Sequence, residues 1–131
     1  MPSTRKQLLA RGFFIFIFGI GGLNHFRDPA FYVAMMPPFV PAHDVMVALS
    51  GVTEVLTAAL LLVPRTRVLG AVSSGLHLVV FLLVHVFMVV RPDLWPAIPV
   101  AALWIRLVLQ FAGIALAWWL IRSERSVTPS S

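Results

Sequence analysis

Residues 45–63 read VMVALSGVTEVLTAALLLV, with Asp44 before them and Pro64-Arg65 after. A helix needs about 20 mostly apolar residues to cross the hydrocarbon core of a bilayer, and this run meets that. One charge, Glu54, stands in its middle. A charged side chain at that depth costs several kcal/mol and is kept only when it is paired or put to use. At 100° per residue, Val47, Ser50, Glu54, Thr57 and Leu61 share one face, with Gly51 beside them. The stretch therefore predicts a transmembrane helix and, on one side of it, a polar interior.

Three further runs have the same character: Leu8–Phe26, Val68–Val90 and Pro96–Ile121. The chain is 60% hydrophobic and 11% charged, with a mean hydropathy of +0.94, against roughly 45–50% and 25% for soluble domains. Its 131 residues allow one domain. The net charge of +5 comes from basic residues that flank apolar runs, the pattern of a membrane-embedded chain and not of a nucleic-acid surface. No cysteine is present, which excludes thiolate catalysis and Cys-ligated metals. The first run is long and lacks a small-x-small cleavage site, so it is expected to stay as a span.

The expected fold is all-α, an integral membrane four-helix antiparallel bundle. Spans fall at about 8–26, 45–63, 68–90 and 96–121 within a single domain 1–125, followed by a disordered tail 126–131. Arg5, Lys6, Arg11, Arg65, Arg67, Arg122 and Arg125 fall on one side, and only Arg27 and Arg91 on the other. The positive-inside rule then puts both termini in the cytoplasm, with Arg11 snorkelling at the start of its span. Trp95 and Trp104 are expected near the outer boundary, Trp118 and Trp119 near the inner one. The outer connection 27–44 holds Phe31, Tyr32, Met35, Met36, Pro37, Pro38, Phe39 and Pro41. It is too apolar for a solvated loop and too proline-rich for a helix, so it is expected to pack over the outer mouth of the bundle.

Each remaining span also carries a small or polar face. Gly12, Gly19, Gly22 and Phe26 form one in the first, closed by Asn24-His25. Gly70, Ser74, His77, Phe81 and His85 form one in the third, and Ala102, Arg106, Gln110, Gly113 and Ala117 one in the fourth. Small residues let membrane helices approach and polar ones bond across them. The faces are expected to converge on one interior, where Glu54 pairs with Arg106 and Gln110, Ser50, His25 and His85 complete the network. Replacing Glu54 by Gln is then expected to strand Arg106. The candidate catalytic residues are Glu54, Arg106 and His85; the candidate ligand-binding residues are His25, Asn24, Ser50, Gln110 and His77. His25, His85 and Glu54 supply the donor types of a two-His-one-carboxylate metal site, but no metal-binding spacing accompanies them and no metal ligands are assigned. A nucleophile elbow and a phosphate loop are also absent.

The residue order resembles the DoxX-like family of small four-helix membrane proteins. The matching elements are Asn24-His25-Phe26, Pro29 and Phe31, Pro37-Pro38 with Pro41, Ser50-Gly51 with Glu54, Leu61-Leu62-Val63-Pro64-Arg65, His85, and Arg106 with Gln110. The resemblance covers roughly residues 8–121. It implies that Glu54, Arg106 and His25 stand where that family has its Glu, Arg and first-helix His. It also implies a bacterial inner-membrane location and a redox association, the family being named for a link to a thiosulfate:quinone oxidoreductase subunit. A distant animal relative resembles an assembly chaperone for receptors. The absence of cysteine departs from any sulfur-handling role.

The function expected is a buried pocket for a small lipophilic or quinone-like ligand, whether or not the protein is an enzyme. A quinone ranks ahead of haem or metal. Small-solute transport and a scaffold role for another membrane protein are the alternatives. The expected partners are the bilayer and the ligand, with a homodimer or a membrane-protein partner open and no nucleic acid.

Overall fold

The computed structural model describes residues 2–127. It contains five α-helices: α1 (Arg5–Arg27), α2 (Pro29–Met35), α3 (His43–Leu62), α4 (Arg67–Val90) and α5 (Val100–Val127). Short 3-10 turns lie at Pro64–Thr66 and Pro92–Leu94, and there is no strand among the described residues. Four of the helices are long and apolar enough to cross a membrane.

Prolines and caps set the boundaries. Thr4 and Gln7 form a reciprocal capping box at the start of α1: Thr4 Oγ1 accepts from the Gln7 amide at 3.2 Å, and Gln7 Oε1 accepts from the Thr4 amide at 2.7 Å. Asp28 ends α1 and caps α2, accepting from the Phe31 amide at 3.3 Å. Pro29 follows at the first position of α2, where its missing N–H costs nothing. Val63, next to Pro64, is extended at φ −84° and ψ 121°, as the proline ring requires of its predecessor. The fourth span was expected from Pro96, but α5 starts at Val100 because Pro96 and Pro99 keep the preceding turns out of the helix.

Two further expectations are corrected here. The connection 27–44 is not free of helix: α2 fits between Asp28 and the prolines at 37, 38 and 41. The chain then enters α3 through Ala42, whose φ of 50° is left-handed. Of the tail expected from residue 126, Ser126 and Val127 belong to α5, which continues through Val127. Residues 128–131 lie outside the described residues.

Helix α1 packs along α3, and α4 along α5, with α3 and α4 joining the two pairs. The α1–α3 crossing is close. A Cβ on Gly22 would stand 2.9 Å from the Gly51 carbonyl oxygen and 2.8 Å from Val55, and one on Gly51 2.8 Å from His25 Cβ. The buried face of α1 differs from the small-residue face expected. Gly12 is exposed with nothing near it, and Phe26 is exposed, whereas Phe14 and Phe18 are buried. Aromatic volume, more than small size, fills the interior along the first half of α1.

One core cluster joins Phe14, Phe18, Ala58, Leu61, Ala117 and Leu120. A second, at the α2 end, joins Met88, Trp95 and Leu103 with Met35 and Ile98. Trp95 is therefore core and not a belt residue: its Nε1–H donates to the Ala34 carbonyl at 2.9 Å and ties α2 to the chain before α5. Trp104 and Trp118 remain exposed. The helices' outer faces carry large apolar side chains such as Phe16, Val80 and Val108, each 64% exposed. That is costly in water and ordinary in lipid.

Arg11 does not snorkel. It is buried, 3.4 Å from the Glu124 carboxylate. Nearby, Gln7 Nε2 donates to the Ser123 carbonyl at 2.9 Å. These contacts set the first turns of α1 beside the last turns of α5.

Candidate functional site

Between the two core clusters lies a cavity of about 360 Å³. Helix α1 contributes His25, one turn beyond Gly21. Helix α3 contributes Ser50 and Glu54, one turn apart, α4 contributes His85, and α5 contributes Arg106 and Gln110, again one turn apart. Phe31, Tyr32, Met35 and Met36 cover this ring from α2 and the residue after it. The remaining lining is apolar, including Phe18, Val47, Leu78, Phe81 and Val84. An apolar cavity with a few convergent polar groups is the usual form of a small-molecule site.

The polar groups do not pair as expected. Glu54 Oε1 faces His25 Nε2 at 3.7 Å, and no ion pair joins Glu54 to Arg106 among the described residues. The reason is geometric. Gly51 brings α3 against α1 at the level of His25, while Arg106 belongs to the α4–α5 pair. Arg106 instead donates from Nη2 to the Met35 thioether at 3.3 Å, its one hydrogen bond among the described residues. Thioether sulfur is a weak acceptor, and the guanidinium borders a largely apolar cavity. Such a group is short of a strong acceptor. Gln110 is anchored, its Nε2 donating to the Leu78 carbonyl at 2.6 Å.

The histidines share one local design. His25, His77 and His85 each place Nδ1 2.8 Å from a carbonyl four residues earlier, at Gly21, Ser73 and Phe81. A carbonyl oxygen only accepts, so Nδ1 carries the proton and the neutral ring presents Nε2 as an acceptor. For His25 that acceptor faces a carboxylate. Two acceptors repel, so the His25–Glu54 couple is satisfied when it holds one proton between its members.

The cavity thus gathers His25, Ser50, Glu54, His85, Arg106 and Gln110. Two candidates fall outside it. Asn24 faces the edge of the lid, its Nδ2 donating to the Tyr32 hydroxyl at 3.0 Å. His77 lies deeper, where its Nε2 meets Thr53 Oγ1 at 2.9 Å and its ring packs between Phe18 and Phe81. Sequence reasoning missed Tyr32, which stacks on His25 with ring centroids 3.7 Å apart, and Met35, the acceptor of Arg106. Both sit on α2. The signal for them was the aromatic and methionine content of a connection that had been read as having no helical face. His43, at the start of α3, lies outside the cavity lining, and its Nε2 donates to the Pro37 carbonyl at 3.1 Å.

Residues 14–121 match the family described as Domain of unknown function (DUF8561). No curated protein and no solved structure matches the chain. The matched segment contains every residue that lines the cavity. The chain belongs to the DUF8561 family.

Proposed function

We infer that the chain is an integral membrane protein of four antiparallel spans, and that its cavity binds a small lipophilic ligand with an accepting oxygen, quinone-like in class. The observation that carries this reading is Arg106, a guanidinium at an apolar cavity whose hydrogen bond goes to a thioether. A carbonyl or phenolic oxygen entering the cavity would replace that sulfur with a far stronger acceptor. The apolar lining would take the ring or chain that carries the oxygen. Glu54 with His25, and His85 in the same cavity lining, would then hold and move protons at a bound ligand. The DoxX-like resemblance and the redox association it implies belong to the same proposal. So do a cytoplasmic position for both termini, argued from the arginines and lysine at one end of the spans, and a bacterial inner-membrane location.

Native mass spectrometry of protein purified in mild detergent, with an ultraviolet-visible spectrum and metal analysis of the same sample, tests the reading. A retained quinone-like molecule, lost in Arg106→Leu, is the expected result. A colourless, metal-free sample that neither retains nor binds a quinone would overturn it. Solute transport, or assembly of another membrane protein, would then become the working assignment.

A further inference from the structure

The hydrogen-bond polarity of the cavity specifies more than an oxygen-bearing ligand. Arg106 is a donor only. His85 is its opposite. Nδ1 of its ring is committed to the Phe81 carbonyl at 2.8 Å, so the neutral imidazole offers Nε2 purely as an acceptor. No described residue donates a hydrogen bond to that nitrogen. His77 bears the same backbone bond but meets Thr53 Oγ1 with its Nε2. His25 meets Glu54 with its own. His85 is the cavity histidine whose second nitrogen the protein leaves for something else.

We propose that the cavity is a site for a hydroxyl-bearing ring, a hydroquinone or other alkylated phenol, in preference to the fully oxidised quinone of the same skeleton. The ligand hydroxyl donates to His85 Nε2, and a ligand oxygen accepts from Arg106. The aromatic ring lies among Phe81, Val84 and Met35. A quinone satisfies Arg106 equally well but sets a carbonyl lone pair against the His85 lone pair, leaving a buried acceptor without a donor. This inference rests on the proposed function and adds its donor–acceptor sense. It needs no electron transfer, only recognition of the reduced form.

Binding of trimethylhydroquinone and of trimethylbenzoquinone to the full-length protein in detergent, under anaerobic conditions, separates the possibilities. The readout is the dissociation constant from quenching of the intrinsic tryptophan fluorescence. The expected result is a preference of about tenfold or more for the hydroquinone, the range that follows from leaving a buried acceptor unsatisfied. In His85→Phe the preference falls to near one with quinone affinity retained, and in His85→Gln, which keeps an accepting oxygen, part of it returns. Equal binding of the two probes by the unaltered protein would overturn the inference and leave the proposed function standing, and that comparison requires no variant to fold. A preference that survives His85→Phe would overturn it as well. Binding of neither probe would overturn both.

Discussion

Arg11 and Glu124 meet at 3.4 Å in the protein interior, their side chains 4% and 5% exposed, and join the first helix to the last. Breaking a buried pair by removing one partner typically costs about 3–5 kcal/mol, whereas replacing both by apolar groups is often tolerated. Glu124→Gln should therefore lower the melting temperature in detergent markedly, and Arg11→Met combined with Glu124→Leu should recover much of the loss. A single variant that melts with the parent would remove this pair from the stabilising contacts.

Glu54 is coupled to His25 and not to Arg106, and a double-mutant cycle makes that measurable. Interacting neighbours show coupling of about 0.5–3 kcal/mol, and independent sites add within about 0.5. The Glu54→Leu with His25→Phe cycle, in which each change removes the contact, should show coupling, and the Glu54→Leu with Arg106→Met cycle should be additive. The expectation that Glu54→Gln would strand Arg106 is thereby replaced. The Gln amide keeps a donor for His25 Nε2, so the single change should be mild. Strong coupling in the Arg106 cycle would contradict the geometry described.

The Gly22–Gly51 crossing predicts unequal tolerance among the α1 glycines. An added methyl at Gly22 meets backbone and Val55 at under 3 Å, whereas Gly12 has open space. Gly22→Ala should destabilise by about 1–3 kcal/mol, the usual effect of overpacking. Gly12→Ala should be neutral or stabilise by about 0.5–1 kcal/mol, the helix cost of glycine. Thermal melts of the two variants side by side decide it, and equal shifts would argue against the close crossing.

Outside the four long apolar helices, Arg91 grips Asp93 through two hydrogen bonds of 2.9 and 2.8 Å. That grip holds the Asp93 carboxyl below its ordinary value of 3.8. A depressed carboxyl adds stability that is present above the unfolded value and is lost as pH falls through the folded one. Both side chains are exposed to solvent, and such pairs contribute little. Asp93→Asn should leave the melting temperature unchanged between pH 5 and 8, and only a clear drop there would give the pair a structural role.

Much of the site was legible in the chain. Glu54 with Ser50, and Arg106 with Gln110, lie one turn apart, so helix geometry alone places each pair on a common face. The Glu54–Arg106 pairing failed because spacing fixes which face a residue occupies, not which neighbour that face meets. The choice between His25 and Arg106 was made by two glycines drawing α3 onto α1. The cover was harder to read. Tyr32 and Met35 are on a seven-residue helix, too short for its apolar period to stand out among the prolines that bound it.

The sequence by itself determined four long apolar helices and the breaks between the second and third at Pro64 and after the third at Arg91-Pro92, because hydropathy and proline are local properties of the chain. It also determined that charged and titratable side chains would be carried inside, since no other use explains them in such runs. Only the tertiary structure decided the partners: His25 for Glu54, Met35 for Arg106, Glu124 for Arg11. Those assignments depend on helix rotation and crossing distance, which the packing of Phe14, Phe18, Gly22 and Gly51 sets across residues far apart in the chain.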